Sequence, residues 1–221
     1  MRRAVLGFKV VSLAGGAHFL STVRRPTLND IGKRQVVSST YPANEPNEDR
    51  IISFKDVTNK VEVLGVLDGH GGPDVAEFVA TNFPAVFDKY IDSILRSESE
   101  VDIDQQLVLL FQTLEDMYLN TVRPLYNQGV GSVASVGCCT LIALSHKNTL
   151  TIANCGDCRA VLGSEVSSNG NMAAIRLTRE HNARCTLEQL KLKREHPGEV
   201  DVFRCKSSHA CYVKVFFFLI I

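Results

Sequence analysis

Three neighbouring residues at the end of an apolar run are the first candidates for chemistry. The run 61–67 leads into Asp68, Gly69 and His70, and two further glycines follow. A carboxylate and a backbone carbonyl are oxygen ligands that Mg²⁺ and Mn²⁺ prefer, and glycine lets the backbone turn its carbonyl toward the same ion. An imidazole one residue further on can act as a general acid or base. A simple turn explains the same residues, so both interpretations stay open on chemistry alone.

A second acidic pair, Glu48 and Asp49, stands just before the first predicted strand and has no evident structural duty. An antiparallel pairing of residues 51–54 with 61–67 would bring this pair and Asp68 to the same sheet edge in only one register. The sequence leaves that register open, so the convergence of the three acids is a hypothesis.

The elements that would position these residues are two strands and a helix. Residues 51–54 and 61–67 are rich in Ile, Val and Leu, which favours strands, and 55–60 reads as a hairpin loop. Pro73 fits the first position of a helix. Pro84 lies further along the same apolar periodicity and is expected to kink or end that helix.

The rest of the chain predicts one long helix, several strands and a short helix. An apolar stripe predicts a helix over about 104–121, which Pro124 is expected to stop. Thr186 and Gln189 form a capping box before a helix over 187–196. Strands that follow one another as hairpins indicate an antiparallel sheet packed by helices rather than βαβ units. These strands are 139–145, 149–155, 158–164 and 172–178.

Length, charge and hydropathy exclude several classes. The chain has 221 residues, with 24 Lys and Arg against 24 Asp and Glu, which suits one globular domain. Zero net charge argues against a nucleic-acid binder. No window approaches the roughly 18 apolar residues of a membrane span, so none is expected.

Seven cysteines are scattered through the second half of the chain, and the odd number argues against a disulfide framework. We expect mostly reduced thiols. Cys155 and Cys158 form a C-x-x-C, but a zinc site would need a second pair, for which 205–211 is the candidate. Ordinary thiols are the favoured interpretation.

The first 29 residues contain no acid. A basic, hydroxylated and acid-free leader is typical of a mitochondrial transit peptide, which would place the protein in the mitochondrion, with the matrix as its compartment. An unstructured cytosolic leader is the alternative. In either case we expect residues 1–29 to lie outside the fold. The basic residues of the leader are Arg2, Arg3, Lys9, Arg24 and Arg25.

Four motifs in order now point to a family. The segment 64–72 resembles the Asp-Gly-His-Gly-Gly signature of the metal-dependent protein serine/threonine phosphatases of type 2C. The segment 47–50, Asn-Glu-Asp-Arg, resembles the family's first acidic motif. Residues 149–162 resemble its Asn-x-Gly-Asp-Ser-Arg-Ala motif, and 177–183 resemble its Leu-Thr-x-Asp-His motif.

Within that family, two segments are similar to the mitochondrial pyruvate dehydrogenase phosphatase branch. They are 42–50 and 181–197. Many family members carry a phosphate-binding arginine four residues before the first acid, whereas Asn44 stands here, as in that branch. The resemblance therefore implies that substrate phosphate is held mostly by metal-bound water and other groups. It also implies a phosphoprotein substrate, with the pyruvate dehydrogenase complex as a candidate.

The resemblance implies a binuclear Mg²⁺ or Mn²⁺ centre. Asp68 would bridge the two ions and Gly69 would offer its carbonyl. Glu48 and Asp49 would support the centre, largely through bound waters. A metal-activated water would attack phosphorus in line, and His70 would protonate the leaving serine or threonine oxygen.

The fold that the resemblance implies is α+β, a β-sandwich of two antiparallel sheets flanked by helices. Residues 40–214 would form a partial catalytic domain of this fold, incomplete at its C-terminus. Within it, Asp157 and Arg159 are expected to be structural, as a turn residue and its ion-pair partner.

The chain departs from the family pattern near its end. The family's later motifs, which supply two further metal-binding aspartates, do not occur, and 215–221 is an apolar tail outside the pattern. The alternative to an enzyme is therefore a catalytically inactive family member that acts as a binding module. We expect the 221-residue product itself to be catalytically inert and poorly folded.

Overall fold

The computed structural model describes residues 7–12, 19–24, 36–56, 61–96, 100–146, 149–165, 172–199, 201–207 and 210–213. Within them the helices are α1 (Asp74–Arg96), α2 (Glu100–Asn127) and α3 (Thr186–Glu195), with a short 3₁₀ segment at Gly131–Ser135. The strands are β1 (Gly7–Ser12), β2 (Phe19–Arg24), β3 (Asp49–Asp56), β4 (Val61–His70), β5 (Gly137–His146), β6 (Thr149–Cys155), β7 (Val161–Glu165), β8 (Met172–Arg176), β9 (Phe203–Ser207) and β10 (Ala210–Val213).

The main sheet has six strands in the order β1-β2-β6-β5-β4-β3, and every neighbouring pair is antiparallel. Two further antiparallel pairs, β7–β8 and β9–β10, form separate two-stranded sheets. The predicted α+β class and the antiparallel topology are confirmed. Residues 57–60, most of the predicted hairpin loop, lie outside the described residues.

Part of the predicted leader lies in the sheet, contrary to our expectation. β1 pairs with β2, and β2 pairs with β6 along its full length. Without β2, strand β6 would present a row of unpaired N–H and C=O groups, which another strand can satisfy. The expectation that residues 1–29 stand wholly outside the fold is therefore wrong for 7–12 and 19–24.

One face of the main sheet packs against α1 and α2. Alternate residues of β4 point into this interface, and Val63 and Leu67 are at most 1% exposed. Phe54 of β3 makes an edge contact with Phe87 of α1, with ring centroids 5.6 Å apart, and Phe83 stacks on Phe87. This interface is the main core of the described chain.

Both helices run through their prolines, so the predicted end at Pro124 is wrong. At Pro84 we expected a kink or an end, and the helix does not end there. A proline inside a helix costs about 3 kcal/mol. Pro84 lies between the buried residues Phe83 and Phe87, and burying one phenylalanine side chain contributes about 1.5–3 kcal/mol. Phe83 and Phe87 together can offset that cost. Pro124 stands near the end of α2, which continues only to Asn127, so few backbone hydrogen bonds depend on it.

The second face of the sheet is partly covered by the β7–β8 hairpin. Leu162 of β7 and Ile175 of β8 pack against a small cluster formed by Leu141, Ile152 and Leu177. This second layer corresponds to the sandwich that the family resemblance implied. It leaves part of the face open near β3 and β4, where Val66 is 46% exposed.

Two smaller expectations need correction. The N-cap of α3 is Cys185, without a side-chain cap, so the predicted capping box does not form; instead the Gln189 amide donates to the Ala183 carbonyl at 2.7 Å. Cys205 and Cys211 form a disulfide because the β9–β10 register places them opposite each other. The other five cysteines are free thiols, as expected.

No described helix combines the length and the apolar character needed to cross a membrane. The predicted apolar tail, 215–221, lies outside the described residues.

Candidate metal centre

The hairpin register brings the two acidic segments together. In the β3–β4 pair, Asp49 stands directly opposite Asp68. Residues opposite each other in an antiparallel pair share one face, with Cβ atoms about 4.5–5.5 Å apart. The condition that the sequence left open is therefore met. Two carboxylates in this position repel each other unless a cation lies between them.

Gly69 allows the third acid to approach. Its amide donates to the Glu48 carbonyl at 3.2 Å, which fixes Glu48 beside the end of β4. A Cβ on residue 69 would lie 2.5 Å from the same carbonyl oxygen, so a larger residue would push the segments apart. The Glu48 carboxylate accepts a hydrogen bond from the Asn44 amide at 2.5 Å. Asn44 is therefore bound to an acid of the site.

The pKa of the Asp68 carboxyl is raised, first by partial burial and then by the negative charge of Asp49. Asp157 and Glu48 raise it further, whereas His70 lowers it. Four carboxylates thus share one region of the sheet. Asp157 follows β6 and accepts a weak hydrogen bond from the Cys139 thiol at 3.6 Å. Sequence reasoning gave Asp157 a structural role only and missed its proximity to Asp68.

His70 ends β4, where it pairs with Gly137 of β5, and its side chain is exposed. The strand is three residues longer than predicted because β5 continues to pair with it. Gly71 then turns the chain into α1 with φ of +73°, and a Cβ there would overlap the Ser135 carbonyl oxygen. This turn requires glycine, both for its φ and for the close approach.

Arg50 ties the acidic segment to α1. Its Nε donates to Glu77 Oε2 at 2.5 Å, and its Nη1 donates to the carbonyls of Asn47 and Asp49 at 2.8 and 2.7 Å. We call these three hydrogen bonds the Arg50 brace. Because Glu77 lies in the first turns of α1, the brace connects the segment of Glu48 with the helix that follows His70. The sequence gave no signal for it.

The predicted site residues therefore meet at one end of the sheet. Glu48, Asp49, Asp68, Gly69 and His70 all lie there, and their roles stay predictions. Carboxylate and carbonyl oxygens suit a hard divalent cation, and a cation would relieve the repulsion that raises the Asp68 pKa. Within the described ranges, no three His, Cys, Asp or Glu side chains are arranged to hold an ion. The donor chemistry fits Mg²⁺ or Mn²⁺, while the described side chains do not yet form a closed ligand shell.

The third and fourth family motifs, 149–162 and 177–183, form a hydrogen-bonded network behind this end of the sheet. We expected Arg159 to form an ion pair with Asp157. Arg159 instead pairs with Glu180 at 3.0 Å. The buried Asn154 amide donates to the carbonyls of Gly156 and Arg179 at 3.1 and 2.9 Å, which joins the two motifs. The network fixes the turn that carries Asp157.

Burial raises the pKa of the nearby thiols. Desolvation is the largest cause at Cys138 and Cys139, whose pKa values rise to about 12. It also raises the pKa of Cys155 and Cys158. A thiol must lose its proton to bind zinc or react, so these groups are poorly suited to either role.

The architecture and the site together define a class: an α+β protein whose central hairpin carries clustered carboxylates beside a histidine. The family described as "PP2C: Protein phosphatase 2C" matches residues 36–206, and the chain belongs to this family. Proteins of this family are metal-dependent protein phosphatases.

Curated relatives of the chain carry the name of the same family. The chain is 32% identical over 165 residues to "Probable protein phosphatase 2C 42" of Arabidopsis thaliana, which covers 73% of this chain and 41% of the relative. It is 33% identical over 166 residues to "Probable protein phosphatase 2C 68" of the same plant, covering 71% and 39%. The chain thus spans about two fifths of the length of these relatives.

A solved structure supports the fold alone. "Structure of a C.elegans sex determining protein" aligns with a TM-score of 0.51 at 20% identity, covering 69% of this chain and 35% of that one.

Proposed function

We propose that the protein is a metal-dependent serine/threonine phosphatase that hydrolyses phosphoserine and phosphothreonine with water. The observation that carries the proposal is the placement of Asp49 opposite Asp68, with the Glu48 carbonyl bound to the Gly69 amide, in a chain of the PP2C family. Clustered acids are costly without a bound cation, so their convergence supports a metal-binding role.

Asp68 and the Gly69 carbonyl would hold Mg²⁺ or Mn²⁺, with Glu48 and Asp49 in support. When bound, the ion supplies an activated water and neutralises phosphate charge. His70 is exposed at the end of β4, where it can give a proton to the departing serine or threonine oxygen. The Arg50 brace orients the acidic segment, and the side chain of Asn44 is engaged with Glu48 and so is not presented to phosphate.

A finer assignment is to the pyruvate dehydrogenase phosphatase branch, with a mitochondrial location and the pyruvate dehydrogenase complex as substrate. Its support is the resemblance of 42–50 and 181–197, the asparagine at position 44, and the basic, acid-free leader.

A second candidate function is an inactive binding module of the same fold. The observation that favours it is that no three acidic, histidine or cysteine side chains in the described part of the chain are arranged to hold an ion.

One experiment separates the two functions. The purified chain is titrated with Mn²⁺ by calorimetry, and hydrolysis of a phosphoserine peptide is measured at the same concentrations. The phosphatase proposal expects metal-dependent turnover that Asp68→Asn abolishes and that Asp88→Asn, an exposed acid on α1, retains. Undiminished turnover in Asp68→Asn would remove Asp68 from the mechanism. Mn²⁺ binding or folding without turnover would support the binding module, and failure to fold would bear out the expectation from the sequence.

A further inference from the structure

A groove of about 610 Å³ lies between α1, α2 and the 3₁₀ segment, outside the reaction proposed above. We call it the helical groove. Gly71, the residue that follows His70, is part of its lining. Its volume is typical of sites that enclose a small ligand or a side chain. The residues of its lining that matter below are Asp74, Glu77, Phe78, Tyr118, Val122 and Val136.

The floor of the helical groove is apolar. Phe78 of α1 and Tyr118 of α2 make an edge-to-face contact with centroids 5.1 Å apart. Val122 and Val136 are each 8% exposed. Such a surface gains free energy by covering the methylene groups of a ligand.

The charge at the rim has one sign. The charged side chains of the lining are Asp74 and Glu77, and no lysine or arginine of the described chain lines the groove. Glu77 is already bound to Arg50 in the brace, and its negative charge is thereby balanced. Asp74 is exposed and forms no ion pair within the described part of the chain, so the groove favours a cationic group.

Tyr118 places a polar group inside the groove. Tyr118 is only 6% exposed, and no hydrogen bond within the described part of the chain involves its hydroxyl. Burial raises the pKa of the Tyr118 hydroxyl, and the charge of Asp74 adds to this effect. Asp74 and Tyr118 both line the groove, and the charge of Asp74 acts on the hydroxyl.

We propose that the helical groove binds a lysine or arginine side chain of the phosphoprotein substrate, close in sequence to the phosphorylated residue. The methylene stem would lie on Phe78 and Val122, and the cationic end would bind the Asp74 carboxylate and the Tyr118 hydroxyl. Lysine and arginine are the side chains that combine a long apolar stem with a charged end. The closeness in sequence follows because Gly71, which is bonded to His70, lines the groove, and an extended peptide advances only about 3.3 Å per residue.

This inference rests on the proposed function, but its test does not require turnover. Fluorescein-labelled peptides carry phosphoserine, or serine in its place, and a single lysine that is moved along the peptide. Matched peptides carry norleucine, which keeps the stem and lacks the charge. Binding to the full chain is measured by fluorescence anisotropy, and turnover of the phosphopeptides is measured alongside.

We expect a preference of about fivefold for lysine over norleucine at one or two positions, because a partly exposed ion pair with a hydrogen bond gives roughly that factor. The preference should persist in the serine peptides and weaken in high salt. Asp74→Asn should remove it while leaving norleucine binding unchanged. Tyr118→Phe should reduce it. Asp88→Asn, an exposed acid further along α1, should leave it intact.

Each outcome bears on the proposal. A lysine preference without any hydrolysis would support the helical groove and count against the phosphatase activity. Hydrolysis without a lysine preference would support the phosphatase activity and count against the helical groove. Equal binding of lysine and norleucine peptides would show a purely apolar site and overturn the proposal. If the chain unfolds cooperatively and yet binds none of the peptides, the proposal is overturned too. Another segment of the chain that fills the groove would give that result.

Discussion

Replacing Arg50 with glutamine should loosen the acidic segment more than the loss of one surface ion pair would. Arg50 donates to Glu77, Asn47 and Asp49 through one guanidinium group, and its side chain is 29% exposed. Glutamine is shorter and uncharged, so it cannot reach all three acceptors. The carbonyls of Asn47 and Asp49 then lose a partly buried donor.

The magnitude follows from treating the three bonds separately. The pair with Glu77 is exposed on the glutamate side, where 59% of the side chain is accessible, so it contributes about 0–1 kcal/mol. A hydrogen bond from a charged donor contributes about 1.5–3 kcal/mol, but two that share Nη1 contribute less than twice that. We therefore expect Arg50→Gln to lower the free energy of unfolding by about 2–3 kcal/mol, and Glu77→Gln to lower it by about 1 kcal/mol or less.

Two measurements check this reasoning. Urea unfolding gives the free energies, and hydrogen exchange reports the Gly69 amide, whose acceptor is the Glu48 carbonyl. Exchange at Gly69 should accelerate in Arg50→Gln. The matched control is Arg204→Gln, which breaks the exposed pair of Arg204 with Asp201. Equal losses in Arg50→Gln and Glu77→Gln, or unchanged exchange at Gly69, would refute the idea that the backbone contacts dominate.

Two further predictions concern pH and targeting. The pKa of Asp68 is raised above its ordinary value of 3.8, so its contribution to stability is present below that pH and is lost as pH rises through the folded-state pKa. Asp68→Asn should thus be more stable than wild type at pH 7, and the difference in free energy of unfolding should shrink toward about pH 4. Urea titrations at several pH values measure it. A difference that does not change with pH would contradict the raised pKa of Asp68 as its cause. Residues 1–29 should direct a fluorescent reporter to mitochondria, and glutamate in place of the four arginines should leave it in the cytosol. A cytosolic wild-type reporter would defeat the targeting proposal.

The sequence predicted what depends on local pairing. The Ile, Val and Leu content of 51–54 and 61–67 and the short loop between them led to the β3–β4 hairpin, because such residues favour strands. The convergence of Asp49 with Asp68 followed once the register was known. Four motifs in order were enough to find the family, because each supplies several residues at a set spacing.

Contacts between distant segments were beyond local reasoning. The bond of Arg50 to Glu77 depends on how α1 lies against β3, and the closeness of Asp157 to Asp68 depends on the order of strands in the sheet. Pairing of β2 with β6 joins segments more than a hundred residues apart. Neither propensity nor spacing encodes such distances.

The prolines show why local rules were insufficient for the helices as well. A proline at position 84 argues for a helix end when its backbone cost is considered alone. The residues on either side of it, Phe83 and Phe87, are fully buried against Phe54, and they remain so only if the helix continues. The α1 residues that line the helical groove, from Asp74 to Asn82, all precede Pro84. A helix that ended at Pro84 would remove the helical backbone that places Phe87 against Phe54 and Phe83, so core packing, which local rules do not include, overrides the preference of the proline.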